Sequence, residues 1–323
     1  MMKAIDKLWG SKTAIKGYTV EKVGQIMAEK ASRFKEPVFV GLDASRFDQH
    51  CSRDALEWEH SVYNQVFNCP RLAELLSWQL SNRGTAYTSD GKVKYVVEGC
   101  RMSGDMNTSM GNYLIMSSLC YVYCQEVGLR AELANCGDDC VLFLEASDLG
   151  KLSSLPDWFT KMGYTMKVEK PVYNLEEIEF CQMHPVFTSR GWIMVRRPDT
   201  VVTKDCCVVR GGMTVSKLED WLGAQRAGGL SLAGDVPVLS QFYKCFPEKT
   251  SDCLSDYAAP HKFQASQQYG SITDESRYSF WLAFGLTPDE QCAIEEDLVN
   301  FTFTTTFGEE RGHEASLFDY CCR

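Results

Sequence analysis

The sequence predicts an α+β fold, a largely antiparallel sheet with packed helices leading into a mainly helical segment. Three observations carry that expectation. Short apolar runs bounded by turn residues recur as hairpins between helical patterns, without the regular strand–helix alternation of a parallel sheet. An apolar fraction of 45% over 323 residues supports a real core, in one large domain or two ordinary ones. Beyond Met213 the pattern turns helical and is punctuated by glycine.

The elements follow in order. Residues 38–42 (Val-Phe-Val-Gly-Leu) form a short apolar strand that runs into Asp43. Ser52 then caps a helix with Asp54 in its first turn, and Leu56, Val62, Tyr63, Val66 and Phe67 give it one apolar face. Pro70 opens a second helix reaching Leu80, at the position where proline is tolerated. Residues 85–88 and 93–97 flank Ser89-Asp90-Gly91 as a hairpin. A loop from Gly99 to Gly104 leads into a long helix over about 107–127, ended by Gly128. Residues 131–144 form a second hairpin with Gly137-Asp138-Asp139 at its tip. A short helix over 156–162 ends at Gly163 and precedes a strand over 164–168. Residues 178–183 and 192–195 flank Thr188-Ser189-Arg190-Gly191 as a third hairpin.

Composition narrows the class. No apolar stretch follows the lysines at the start, and the run 113–124 is broken by Ser117 and Ser118 and too short to span a bilayer, so a soluble protein is expected. Fifteen cysteines are scattered without a Cys-x-x-Cys pair, and the five histidines lie far apart. Free thiols in a reducing compartment fit this better than a disulfide framework or a zinc site. The net charge of −10 is uneven: residues 272–323 hold eleven Asp and Glu against three Arg, leaving a nearly neutral body. The basic footprint usual in nucleic-acid enzymes is therefore weak, although local patches set the field.

Three pieces carry chemistry. Asp43 leaves a buried strand with Asp48 five positions on, which suits a divalent cation at a sheet edge; an ordinary acidic loop is the plain alternative. Asp138 and Asp139 are adjacent carboxylates at a hairpin tip between apolar strands, costly unless a cation or solvent compensates; the alternative is a common Gly-Asp surface turn. Thr108 and Asn112 share one helix face, and Ser103 precedes them on a loop freed by Gly104. Those groups suit a ribose hydroxyl or a base edge, while helix capping by Ser103 or Asp105 is the competing account. Taken in order, the pieces specify a two-metal phosphoryl-transfer site, with Asp43 and Asp138 holding cations roughly 4 Å apart.

These residues also carry a family resemblance. Gly-Leu-Asp-Ala-Ser-Arg-Phe-Asp-Gln-His (41–50) resembles motif A of viral RNA-dependent RNA polymerases, Ser-Gly-Asp-Met-Asn-Thr-Ser-Met-Gly-Asn (103–112) motif B, and Cys-Gly-Asp-Asp (136–139) motif C. Residues 163–170 are similar to motif D and 178–182 to motif E, and the wording resembles that of the tombusvirus and carmovirus group, the Tombusviridae. The resemblance runs from about Thr13 to about Glu248.

It implies a right-hand polymerase with a palm at 37–197 and a helical thumb at 198–271, after a remnant of fingers at 1–36; the acidic C-terminal tail at 272–323 is read from its charge alone and matches nothing in the family. Carried over, Asp43, Asp138 and Asp139 are the metal carboxylates, with two Mg2+ ions or Mn2+ in their place. Asp48, Ser103, Gly104, Thr108 and Asn112 select a ribose through its 2′-hydroxyl. Lys170, with Lys167 as second choice, protonates pyrophosphate. Phe180, Cys181 and Gln182 border the primer end, and Arg196 and Arg197 meet nascent-strand phosphates or form a solvated strand end. The implied partners are RNA template and nascent strand, ribonucleoside triphosphates, and viral or host replicase components. The implied place is a membrane-associated complex in the host cytoplasm, reached through parts outside this chain.

Only about 42 residues precede Asp43, too few for fingers, although they hold eight Lys and Arg against four Asp and Glu. The expectation is therefore a piece of a larger polymerase. The alternatives are an inactive truncated or genome-integrated relic, or an RNA-binding module. A reverse transcriptase shares the palm carboxylates, but Asp48 and Asn112 fit ribonucleotides better.

Overall fold

A computed structural model describes residues 1–208, 214–248 and 270–301. It divides into two compact units: Met1–Tyr18 with Ile26–Cys181, and Thr19–Gln25 with the residues from Gln182 on. Helices α1 (Met2–Trp9) and α2 (Val20–Ala31) precede strand β1 (Pro37–Ala44). Next come α3 (Phe47–His50), α4 (Arg53–Phe67), α5 (Pro70–Ser77), the hairpin β2 (Ser81–Thr88) and β3 (Gly91–Glu98), and the long helix α6 (Thr108–Glu126). Strands β4 (Ala131–Asn135) and β5 (Asp139–Glu145), helix α7 (Leu155–Lys161) and strand β6 (Met166–Val168) complete the first unit.

Alternation along β1 decides how this unit packs. Val38, Val40, Leu42 and Ala44 fall on one face and are all but inaccessible; Phe39, Gly41 and Asp43 fall on the other. The sheet runs β4-β5-β1-β6, antiparallel throughout, and β1 pairs with β5 from Pro37 opposite Glu145 to Asp43 opposite Asp139. Cross-strand partners share a face, so Leu142 and Leu144 join Val40 and Val38. That face packs on Leu56 of α4, Met116 and Tyr123 of α6, and Phe159 of α7. Each such side chain contributes about 2 kcal/mol by leaving water. On the opposite face Phe39 meets Phe143 edge to face, with ring centres 5.3 Å apart. That same face ends in Asp43 and Asp139.

Helix α6 is enclosed on most sides, with Gly111 through Ser117 all buried. It starts after Asn107, as the sequence predicts, and the chain turns at Gly128 with φ 62°. The first hairpin is longer than the sequence indicated, and its strands meet across Ser89 and Asp90.

In the second unit β7 (Met183–Thr188) and β8 (Gly191–Arg196) form the third hairpin. Helices α8 (Pro198–Lys204), α9 (Val215–Ala233), α10 (Leu239–Lys244), α11 (Asp274–Phe284) and α12 (Pro288–Val299) follow. Val186, Ile193, Leu230, Phe242 and Phe280 form its core. Two expectations need correction. Residues 178–182 are not strand: Cys181 and Gln182 take φ of 52° and 60°, and consecutive left-handed residues cannot continue a ladder, so β7 begins at Met183. Nor is the stretch from Ile272 simply an acidic tail, because residues 274–284 and 288–299 are helical and Phe280 is wholly buried. Its acidity has a local use. Asp274 with Glu275, and Asp289 with Glu290, occupy first helical turns, where the dipole favours carboxylates. Glu295 pairs with Arg277 at 2.8 Å. Met213 and residues 249–269 and 302–323 lie outside the described residues.

Candidate active site

The sheet brings distant carboxylates together. Asp43 on β1 stands opposite Asp139 on β5 and, across its other edge, opposite Lys167 on β6. Asp138 occupies the β4–β5 turn. Gly137 makes that turn with φ 97°, and its N–H donates to the Asn135 side-chain oxygen at 2.6 Å. Burial pushes the Asp138 carboxyl above its ordinary range, and the charges of Asp48 and Asp43 push the same way. Burial also raises Asp139, against the backbone N–H of Cys181, which donates to its Oδ2 at 2.7 Å.

Asp48, just inside α3, is the second focus. The Ser103 hydroxyl donates to its Oδ2, and the Asn112 amide donates to its Oδ1 at 2.7 Å. Motif A and motif B side chains thus share one carboxylate. Thr108 stands apart from them: its hydroxyl donates to the Met102 carbonyl at 2.7 Å and braces the loop before α6. A Cβ on Gly104 would meet nothing within 4 Å, so the loop stays open there.

The remaining expected residues fall out unevenly. Lys167 shares the face of Asp43, whereas exposed Lys170 lies where three steps of chain (169 to 172) oppose two of β1 (41 to 39). Phe180 is 1% exposed and faces the core, so its side chain is not presented to a ligand. Cys181 is half-buried and serves Asp139 through its backbone. In the second unit Gln182 is exposed, Arg196 is engaged by Asp205 and Tyr243, and Arg197 pairs with Asp199 at 3.2 Å.

Sequence reasoning missed the support behind Asn112. Glu59 and Arg101 form an ion pair that is almost completely enclosed, and Arg101 Nε donates to Asn112 Oδ1 at 2.9 Å. A signal existed for Glu59: it lies three residues after Leu56 and four before Tyr63, on the buried face of α4.

The donor set suits a hard divalent cation, being carboxylate oxygens whose repulsion and burial a cation would relieve. Among the described residues no three Asp, Glu, His or Cys side chains are already arranged to hold an ion. Magnesium does not need that many: it takes one or two carboxylates and completes its shell with water and substrate phosphate.

Comparison with known proteins identifies the family. The family described as viral RNA dependent RNA polymerase matches residues 1–306. The RNA-directed RNA polymerase of Pothos latent virus (isolate Pigeonpea/India) is 66% identical over 322 residues, covering 99% of this chain and 43% of the relative. That of Cucumber necrosis virus is 46% identical over 328 residues, and that of Turnip crinkle virus 41% over 331, each covering 99% of this chain. The chain spans 40% and 42% of those two relatives. The resemblance read from motifs A to E therefore extends over nearly the whole sequence, and the chain belongs to the viral RNA-dependent RNA polymerase family.

Proposed function

We propose that this chain carries the palm and thumb of an RNA-directed RNA polymerase, in which ribonucleotides are added to an RNA 3′-hydroxyl opposite a template. The observation that carries this is the register of β1 and β5, which sets Asp43 beside Asp139 with Asp138 at the adjoining turn. Asp43 and Asp138 would hold the two magnesium ions, with Asp139 beside them, and manganese would serve in their place. When bound, such ions stabilise the charge on the attacking and leaving oxygens of an in-line displacement. The side chains do the rest. Asp48, held by Ser103 and Asn112, presents acceptor and donor groups to the ribose hydroxyls. Lys167, opposite Asp43 and on the same face, is better placed than Lys170 to give a proton to departing pyrophosphate. Arg196 is held by Asp205 and Tyr243 and Arg197 by Asp199, so either arginine would exchange its present partner for a nascent-strand phosphate.

RNA and ribonucleoside triphosphates are the partners in this reading. Viral or host replicase components as further partners, and a membrane-associated site in host cytoplasm, are proposed by analogy with the family. No helix among the described residues is long and apolar enough to cross a membrane.

The test is templated incorporation of labelled ribonucleotides with magnesium or manganese. This chain is assayed alone and joined to the part of the Pothos latent virus polymerase outside the match. Asp138→Asn should lower incorporation on the order of a thousandfold, the loss of several kcal/mol of charge stabilisation. Retained activity in that variant would sink the assignment.

A further inference from the structure

Asn112 can serve Asp48 only if its amide faces the right way. Its two ends differ by one oxygen and one NH2 group, so orientation is a chemical choice imposed by neighbours. Asp48, ionised, only accepts hydrogen bonds, and Arg101 only donates them. An amide between the two satisfies both in one orientation, oxygen toward Arg101 and nitrogen toward Asp48, as observed at 2.9 and 2.7 Å. Flipping it would set NH2 against a guanidinium and oxygen against a carboxylate.

Arg101 is itself fixed from the far side. Its terminal nitrogens bond both oxygens of Glu59, which is 0% exposed, and Glu59 also accepts from Asn107 at 3.0 Å. The Arg101 backbone N–H donates to the Asp48 carbonyl at 2.8 Å, tying the same residue to motif A. Gly111 completes the fit: a Cβ there would collide with both Glu59 and Arg101, so the pair lies directly against α6 one residue before Asn112. A planar fork is needed, because one side chain must reach Glu59 with its end and Asn112 with its Nε.

From this geometry we infer that the buried Glu59–Arg101 pair is a positioning device that sets the Asn112 amide and, through it, the Asp48 carboxylate for ribose selection. The inference rests on the reading of Asp48 and Asn112 as the ribose-selecting pair. Neither Glu59 nor Arg101 touches substrate; both act through Asn112.

The experiment has two arms, so that failure of the polymerase reading and failure of this inference are told apart. Arg101→Lys keeps a cation beside Glu59 but has no Nε–H for Asn112. Arg101→Met with Glu59→Gln leaves no lone buried charge if the lysine variant folds poorly. In the incorporation assay above, the ratio of kcat/KM for ribonucleotide over 2′-deoxyribonucleotide should fall about tenfold, the worth of one charge-assisted hydrogen bond. A loss of rate with that ratio unchanged would reveal a merely structural pair and overturn the inference. The second arm needs no activity. Hydrogen exchange of the Asn112 side-chain amide, followed by NMR in the full chain, should quicken about tenfold in either variant as its partners are lost. Unchanged protection there overturns the inference whether or not the unsubstituted protein incorporates nucleotides.

Discussion

At the scale of single residues, Gly137 shows how tightly backbone and chemistry are joined. Its φ of 97° lies where side chains are strained, and the residue after it is Asp138. Gly137→Ala should cost about 1–2 kcal/mol in unfolding free energy by chemical denaturation, and lower incorporation further by displacing Asp138. The Gly-Asp-Asp turn was legible in the sequence because turn chemistry is local. So were Asp43, Asp48, Ser103 and Asn112, since their order follows the motifs. Arg101 and Glu59 were not. A buried ion pair joins residues far apart in sequence; Glu59 shows itself only by its place on the apolar face of α4, and nothing local marks Arg101 as its partner. Phe180 shows a related limit. The motif places it near the site, but only the fold shows that its ring turns inward.

At the scale of elements, local signals served well where a cap or a turn residue fixed the end. Ser52 accepts from the Ala55 N–H at 3.1 Å and starts α4, the helix that carries Glu59. Ser52→Ala should destabilise the protein by about 1 kcal/mol in chemical denaturation, with no change of fold. The missed boundary was the start of β7. Apolar residues over 178–183 look like strand, yet the Cys181 N–H is spent on the Asp139 carboxylate instead of a ladder bond. Long-range demand from the Asp139 carboxylate overrode local propensity there. Acidic residues from Asp274 on misled in the opposite sense. Counted as net charge they read as a tail, whereas their positions in first turns mark two helix starts.

At the scale of the whole molecule, each unit has its own core and its own buried charge. In the second unit Arg190 pairs with Asp235, which is 0% exposed, and with Glu21 at 2.9 Å. Burial alone would raise the Asp235 carboxyl, but the hydrogen bonds and charge of Arg190 hold it below its ordinary value. A depressed carboxyl gives stability that is full above its unfolded pKa of about 3.9 and is lost as pH falls through the folded value. Resistance to urea should therefore fall below about pH 4. Asp235→Asn should lose about 3 kcal/mol at neutral pH and show a flatter acid limb, because the increment that acid removes is already gone.

The position of β1 between β5 and β6 has a consequence for how the protein is made. On the ribosome β1 emerges first, and both of its neighbours come from chain synthesised after α6. Until then its two edges are open and its apolar residues unmatched, the state in which strands pair with the wrong partner. Such non-local pairing is slow to form. The carboxylates at Asp43 and Asp139 therefore meet only after β5 has been made and has paired with β1.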